Sequence, residues 1–324
     1  MLQVNARILA TGFSGLQRYL GEVLREWEAC GHAVSVARAP RLLAKGVAGH
    51  LWEQGRSWGG DRLWSPANTG PMRHRDQVLT VHDLAPLDHP EWFSRSVVAY
   101  WRWVFPRVVR SCRVVICISS FTRERLLAQV PGLRAEVVVI PNGVRLPAPM
   151  PGTGGGRYLL AVGALDPRKN LDALLAAWQR ALPTLPSDLE LRVVGPRRLY
   201  ARGAPAEVVG TRVRHLGFLS DADLATAYAG CQGLVSVPLY EGFGLPPLEA
   251  LAHGRRCLVS DIPVHREVYG EVCDLVPPRD HAALAAGLAR LARADPGDPG
   301  IRRAFAAERT WRIAAERIWA VTAR

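Results

Sequence analysis

The sequence predicts an α/β protein built from two doubly wound, parallel-sheet domains. Three observations predict it. The chain has 324 residues, too many for one ordinary core and about right for two. Short, continuously apolar runs alternate with amphipathic stretches in both halves. A stretch rich in Pro and Gly without periodicity, "NGVRLPAPMPGTGGGR" (142–157), separates the halves and reads as a linker.

In order, the first half offers the strand candidates "LQVN", "VSVAR", "QVLTVHDL", "VVICIS" and "EVVVIPN". The second half offers "YLLAVG" (158–163), "LRVVG" (191–195), "VRHLG" (213–217), "GLVSVPL" (233–239), "RCLVS" (256–260) and "CDLV" (273–276). Helix candidates lie between the latter: "NLDALLAAWQRAL", "DADLATAYAGC", "PLEALAHG" and "DHAALAAGLARLARA". Strands apolar on both faces, alternating with helices, argue for parallel sheets covered on both sides. The last segment, "TWRIAAERIWAVTAR" (310–324), is a basic amphipathic helix, and its plainer reading is a helix packed on its own domain.

Composition narrows the function classes. Apolar residues make up 48%, and no apolar run is long enough to span a bilayer. The N-terminus lacks a basic segment before an apolar one, so it does not read as a signal peptide, and the expected location is the cytoplasm. The six cysteines form no C-x-x-C pair and read as buried reduced thiols. The net charge of +12 favours an anionic partner: nucleic acid, an anionic membrane surface or a phosphorylated substrate. The first 150 residues hold 19 Lys+Arg against 11 Asp+Glu, so most of the excess lies there. Lysine occurs only at Lys45 and Lys169. A chain that otherwise uses arginine has kept a compact point charge at these two positions.

Ligands of doubly wound sheets bind outside the carboxyl ends of strands, at switch points of the topology. After "LQVNARILA" comes "TGFSGLQRYL", where Gly12 and Gly15 precede a helix; this suits a phosphate and equally a plain strand–helix turn. After "QVLTV" come His82 and Asp83, and a lone histidine there is more often structural than functional. After "YLLAVG" come Arg168 and Lys169 at the mouth of a helix, where positive charge opposes the helix dipole and makes sense if an anion is held. After "GLVSVPLY" comes "EGFGLPPLE" (241–249). Gly242 and Gly244 allow a sharp turn that presents backbone N–H groups, and Pro246 and Pro247 suit a first helical turn. Glu241 at the strand end and Glu249 in the helix are carboxylates able to grip vicinal diols. Serving the helix dipole would explain Glu249 but not Glu241 among its glycines.

"EGFGLPPLE" resembles the E-x7-E motif of retaining glycosyltransferases of family 4, which have the GT-B fold. "VGALDPRKNLDALLAAW", "HLGFLSDADLATAYAGC", "VVVIPNGV" and "VSVPLYEGFGLPPLEALAHG" resemble the family's segments in order and spacing. "VNARILATGFSGLQRYLGEVL" and "TVHDLAPLDHPEWFS" resemble the mannosyltransferase-like branch that builds bacterial surface polysaccharides. The resemblance covers nearly the whole chain.

It implies two Rossmann-like domains facing across a cleft, with the last helix crossing back to the first domain. The implied boundaries are 1–146 plus 306–324 for the acceptor domain, 147–156 for the linker and 157–305 for the donor domain. It implies that Lys169, with Arg168, binds the donor diphosphate; that Glu241 holds hydroxyls of the transferred sugar; that the Gly242, Phe243, Gly244 and Leu245 backbone meets sugar and phosphate; and that Glu249 grips the ribose. Gly15 would approach the diphosphate from the other domain, and His82 would lie near the reacting centre, so Glu241, His82 and Lys169 are the implied catalytic set. One departure matters: many members have arginine where this chain has Ala164, and Arg168 would compensate.

Two features compete with this reading. "DAD" (Asp221 to Asp223) spells a metal-binding D-x-D, but it follows Ser220 at a helix start and capping explains it; no metal and no cofactor are expected. "EWFSRSVVAYWRWVFPRVVR" (91–110) is aromatic and basic, and reads either as a core helix or as one lying on anionic lipid; no nucleic-acid motif accompanies it. The sequence therefore predicts a cytoplasmic, peripherally membrane-associated enzyme. It would move a hexose, mannose from GDP-mannose by branch, to a hydroxyl of a saccharide, lipid-linked by expectation. A dTDP-rhamnose or UDP-sugar donor is the alternative within the class; a polyanion-binding protein on an inactive GT-B scaffold is the alternative outside it.

Overall fold

The computed structural model describes residues 1–10, 15–44, 46–58, 62–148, 157–163, 165–196, 210–295 and 297–324. Lys45, Gly12, Ala164 and the linker residues 149–156 lie outside the described residues. The chain forms two compact units. The first comprises Met1–Pro90, Arg95–Gly143 and Arg309–Arg324; the second comprises Glu91–Ser94 and Val144–Glu308.

The first unit holds a six-stranded sheet of β1 (Leu2–Asn5), β2 (Val34–Ala37), β3 (Leu63–Ser65), β4 (Gln77–Val81), β5 (Val114–Cys117) and β6 (Glu136–Val139), in the order β2-β1-β3-β4-β5-β6. Every neighbouring pair is parallel. The chain runs outward from β1 to β2, then returns to the other side of β1 for β3, which puts the topological switch between β1 and β3. Val4, Leu63, Trp64, Leu79 and Val115 are fully buried or nearly so, as the apolar runs require of strands covered on both faces. The three-residue β3 and the helix Gly46–Gly55 were not predicted, because "DRLWS" and "GVAGHLWEQG" carry too little periodicity.

The last helix, Trp311–Thr322, belongs to the first unit. Thr310 caps it by accepting from the Ile313 N–H. Trp27, on the helix Gly15–Ala29, packs between Trp64 and Trp319 and donates its indole N–H to the Ala315 carbonyl at 2.9 Å. Gly143 makes the docking possible: a Cβ there would sit 2.3 Å from the Trp311 nitrogen.

The aromatic, basic stretch 91–110 is not one helix. It breaks into a 3-10 turn Pro90–Trp92 and helices Arg95–Trp103 and Phe105–Ser111. Trp101 packs on Phe105 at 4.4 Å in the core, so it is not available to enter a bilayer. Trp103 is the outward ring, 66% exposed, with the Arg107 guanidinium 5.6 Å from its centre.

The second unit holds β7 (Tyr158–Val162), β8 (Glu190–Val194), β9 (Val213–Gly217), β10 (Gly233–Ser236), β11 (Arg256–Ser260) and β12 (Asp274–Val276), in the order β12-β11-β10-β7-β8-β9. All neighbours are again parallel. Here the switch lies between β7 and β10. Leu159, Trp178, Leu191, Val235, Leu258 and Leu288 form the core under helices Leu171–Ala181 and His281–Arg293. The "DAD" segment is a cap: the Asp223 N–H donates to Ser220 Oγ at 3.1 Å while the Ser220 hydroxyl donates to Asp223 Oδ2 at 2.6 Å. Of the six cysteines, all free, Cys112, Cys117, Cys231 and Cys257 are buried as expected, Cys273 is half-buried and Cys30 is exposed.

Candidate functional site

The two central strands of the second sheet, β7 and β10, leave the sheet on either side of the switch, and the loops that follow them carry most of the predicted residues. After β7 the chain forms a 3-10 turn, Pro167–Lys169, capped by Asp166, which accepts from the Arg168 N–H at 3.0 Å. Asn170 follows with a left-handed φ of 58°. Its side-chain NH2 donates to the Val237 carbonyl at 3.0 Å and to the Pro278 carbonyl at 2.7 Å. The Leu239 N–H donates to the Arg168 carbonyl at 2.8 Å. The loops after β7, β10 and β12 are thus stitched together, and Lys169 is delivered to the loop after β10.

There the Lys169 ammonium hydrogen bonds to Glu241 Oε1. The Lys169 stem runs over Gly163, with carbons 3.4 Å from where a Cβ would stand, and beside it lies a hollow lined by Gly163, Leu165, Ser236 and Pro238. Arg168 turns to Asp166 instead, Nε to Oδ1 at 3.2 Å and an outer nitrogen to Oδ2 at 3.3 Å. Each cation is matched by a carboxylate. Burial opposes ionisation of Glu241, but the charges of Lys169 and Arg168 and the hydrogen bond from Lys169 outweigh it and hold the carboxyl below its usual range. Glu241 was expected at the end of the strand. In fact β10 stops at Ser236 and Glu241 stands in the loop, because Pro238 and the Asn170 contact end the ladder early.

Gly242, Phe243 and Gly244 are buried. Gly244 has φ 89° and caps the helix Leu245–Ala252, a conformation that favours glycine. Pro246 and Pro247 occupy the second and third helical positions and have no N–H. The expected anion nest would therefore be narrower than a full helix start, limited to the turn Gly242–Leu245. Phe243 sends its ring into the core, edge-on to Tyr269 at 6.2 Å. Glu249, one turn along the helix, is held by the Tyr228 hydroxyl at 2.6 Å from Oε2.

Four residues of this region escaped sequence reasoning: Asn170, Tyr228, His265 and Tyr269. Tyr269 donates to the Gly244 carbonyl at 2.5 Å. His265, fully buried on the same helix Pro263–Tyr269, has Nδ1 3.0 Å from the Ser260 carbonyl. A carbonyl only accepts, so Nδ1 carries the proton and Nε2 is a lone pair. That Nε2 is buried without a partner, 2.9 Å from where a Cβ on Gly244 would be. Burial pushes the imidazole pKa down to about 4, against the opposing charge of Glu241. A signal was present: "SDIPVHREVYG" places His and Tyr four apart on a helix that directly follows β11, at the same edge of the sheet.

Gly15 and His82 fall in the first unit. Gly15 opens the helix Gly15–Ala29, exposed, and a Cβ there would meet nothing within 4 Å among the described residues, so none of those demands glycine. His82 follows β4 and is 7% exposed. Its Nε2 is 2.7 Å from the Pro66 carbonyl, which fixes the proton on Nε2 and leaves Nδ1 an acceptor. Tyr19 meets the ring edge-on at 4.7 Å. Burial lowers the pKa to about 4, although the Pro66 bond works against the shift. Close to the end of β1, the fully buried Glu53 accepts from Asn5 at 2.9 Å, Arg7 at 2.9 Å and Thr69 at 2.7 Å, a fully bonded knot that ties the helix Gly46–Gly55 to the sheet's carboxyl edge. Among the described residues no group of three or more His, Cys, Asp or Glu side chains is placed to hold a metal ion.

Comparison with known proteins places the chain in a family. Residues 156–294 match the family model described as glycosyl transferases group 1, and residues 58–146 match that described as Glycosyltransferase Family 4. The chain belongs to the group 1 and family 4 glycosyltransferases. This family 4 chain is 30% identical over 224 residues to the O-antigen chain mannosyltransferase RfbU of Salmonella typhimurium, covering 67% of itself and 61% of that protein. It is 28% identical over 245 residues to O-antigen chain mannosyltransferase B of Escherichia coli, with the same coverage of each. It thus spans about three fifths of the length of these relatives. Among solved structures, Anabaena HepE in complex with UDP and glucose superposes with a TM-score of 0.72 at 17% identity, over 99% of this chain and 98% of that one. The family 4 chain has the GT-B type of architecture, two parallel-sheet α/β units with the C-terminal helix returned to the first.

Proposed function

We propose that the protein is a retaining glycosyltransferase that moves a hexosyl residue from a nucleotide sugar to a saccharide hydroxyl. The observation that carries the reading is the convergence of Lys169, Glu241 and the Gly242–Leu245 backbone at the switch between β7 and β10. Such a place suits a phosphorylated sugar: a point cation for the diphosphate, a carboxylate for sugar hydroxyls, backbone N–H groups between them, and Glu249 for a ribose diol. The relatives named mannosyltransferases support mannose as the sugar; GDP as the nucleotide follows only from the branch that the N-terminal segments resemble.

In this reading the bond from the anomeric carbon to the phosphate oxygen breaks. The acceptor oxygen attacks the same face, and its proton passes to the departing phosphate, so configuration is retained. Lys169 and the loop N–H groups neutralise the charge that builds on the leaving diphosphate, without a metal. The first unit takes the acceptor, with His82 Nδ1 as a hydrogen-bond acceptor for a hydroxyl. The acceptor is a lipid-linked saccharide, met with the protein resting peripherally on an anionic surface. No helix among the described residues is long and apolar enough to cross a membrane.

The test is transfer from GDP-mannose, dTDP-rhamnose and UDP-glucose to lipid-linked saccharides, with nucleotide release measured and the product's anomeric configuration read by NMR. Release from GDP-mannose with an α-linked product is expected. A protein that binds none of the nucleotide sugars, but binds DNA with steep salt dependence, would be a polyanion-binding scaffold instead.

A further inference from the structure

Two groups expected to face different parts of a nucleotide sugar face each other here. The Lys169 ammonium is hydrogen bonded to Glu241; the two side chains are only 27% and 16% exposed. Arg168 is engaged by Asp166, and solvent reaches Glu241 poorly. An anion that draws Lys169 away leaves a largely buried carboxylate short of its main cation, which is costly. A ligand that brings hydroxyl groups to Glu241 while it takes Lys169 replaces what it removes. A bare diphosphate does only the second.

From this pairing we infer that Lys169 and Glu241 form a selectivity latch, which makes the site favour a sugar-bearing nucleotide over the nucleoside diphosphate left after transfer. The inference rests on the donor reading above. With the sugar in place, its hydroxyls donate to Glu241 and Lys169 swings to the diphosphate. After transfer the sugar has gone, Glu241 reclaims Lys169, and the diphosphate loses its cation. The latch thus weakens product binding without weakening substrate binding, which matters where product release limits turnover. Asn170 and the Leu239–Arg168 backbone bond keep the two loops in register, so the ammonium has a short, fixed excursion between partners.

Glu241→Gln keeps the shape and removes the charge that competes for Lys169. Calorimetry on wild type and variant, with pyrophosphate, GDP, UDP, GDP-mannose and UDP-glucose as ligands, reads the consequence. In the variant, pyrophosphate and the free nucleotide should bind about ten-fold tighter or more, the scale of one hydrogen bond to a charged group. The matching nucleotide sugar should bind no tighter than to wild type, so the preference for sugar-bearing ligand collapses. A melting curve confirms that the variant is folded, and Lys169→Met combined with Glu241→Gln should abolish the gain. Unchanged or weaker pyrophosphate and nucleotide affinity in Glu241→Gln, with wild type still binding and turning over a nucleotide sugar, overturns the latch and leaves the donor reading intact. If wild type binds no nucleotide sugar, both fall together.

Discussion

The Tyr228 hydroxyl lies 2.6 Å from Glu249 Oε2, and this contact decides how the carboxylate can be used. A carboxylate on a free helix face samples several rotamers, whereas Tyr228, itself 2% exposed, fixes one. An oriented carboxylate accepts the two hydroxyls of a ribose at little further entropic cost. Glu249→Ala should weaken donor and nucleoside diphosphate equally, by about 1.5–3 kcal/mol. Tyr228→Phe should weaken both by a smaller amount, about 0.5–1.5 kcal/mol, because the diol contact survives without its support. Calorimetry with a nucleoside diphosphate checks both, and an unchanged affinity in Glu249→Ala would remove that residue from the site.

Lys169 should matter more to turnover than to binding. Negative charge grows on the diphosphate as the glycosidic bond breaks, so a contact there strengthens in the transition state. Lys169→Ala should cost roughly two to three orders of magnitude in kcat, as loss of one oxyanion donor does. Lys169→Arg should restore little, since the narrow stem path over Gly163 ends at a point-charge position that a planar fork does not fit. Steady-state kinetics separate the two variants, and wild-type kcat in the arginine form would show that bulk charge suffices.

His82 makes stability depend on acid. Burial pushes its pKa from the ordinary 6.5 down to about 4 in the folded protein. A group depressed on folding contributes stability that is present above its unfolded pKa and lost as pH falls through the folded one. The window here runs from about pH 6.5 down to about 4, and the full shift corresponds to roughly 3 kcal/mol. His265, lowered to about 4 in the same way, adds to the same window in the second unit. The melting temperature should therefore fall between pH 7 and pH 5. His82→Gln should flatten part of that fall, whatever it does to activity; an unaltered pH profile in the variant would contradict the buried neutral imidazole.

The sheets and the loops after β7 and β10 were legible in the sequence because their signals are local. Strands buried on both faces read as apolar runs, and "PRKN" and "EGFGLPPLE" carry their turn chemistry within a few residues. What sequence did not show depends on contacts across the fold. Nothing in "YAGC" says that Tyr228 meets a carboxylate 21 residues on. Nothing in "SDIPVH" says that a histidine lone pair lies against Gly244. The pairing of Lys169 with Glu241 joins positions 72 apart and reverses the expectation of cations left open for an anion. The 91–110 stretch left two readings open because its rings divide between two faces: Trp101 meets Phe105 in the core, while Trp103 lies beside Arg107 on the outside.

The burial of Trp101 also changes what a membrane test must look like. Trp101 belongs to the core with Phe105, Val108 and Val109, so Trp101→Ala should lower the melting temperature, by an amount consistent with the 3–5 kcal/mol of a large buried aromatic, and leave vesicle binding by the remaining folded protein unchanged. Trp103, 66% exposed, shares the outward side with the exposed Arg95, Arg102, Arg107 and Arg110. If this side lies on an anionic bilayer, two terms separate. The arginines contribute about 1 kcal/mol each, screened by salt over a Debye length. The ring contributes an apolar term that salt does not screen. Arg102→Glu with Arg107→Glu should cut flotation with phosphatidylserine vesicles and make what binding is left insensitive to salt. Trp103→Ala should weaken flotation at high salt as well as low, with an unchanged melting curve. Equal flotation of wild type with anionic and neutral vesicles would rule out the charged surface as a membrane contact and favour a soluble saccharide as the acceptor.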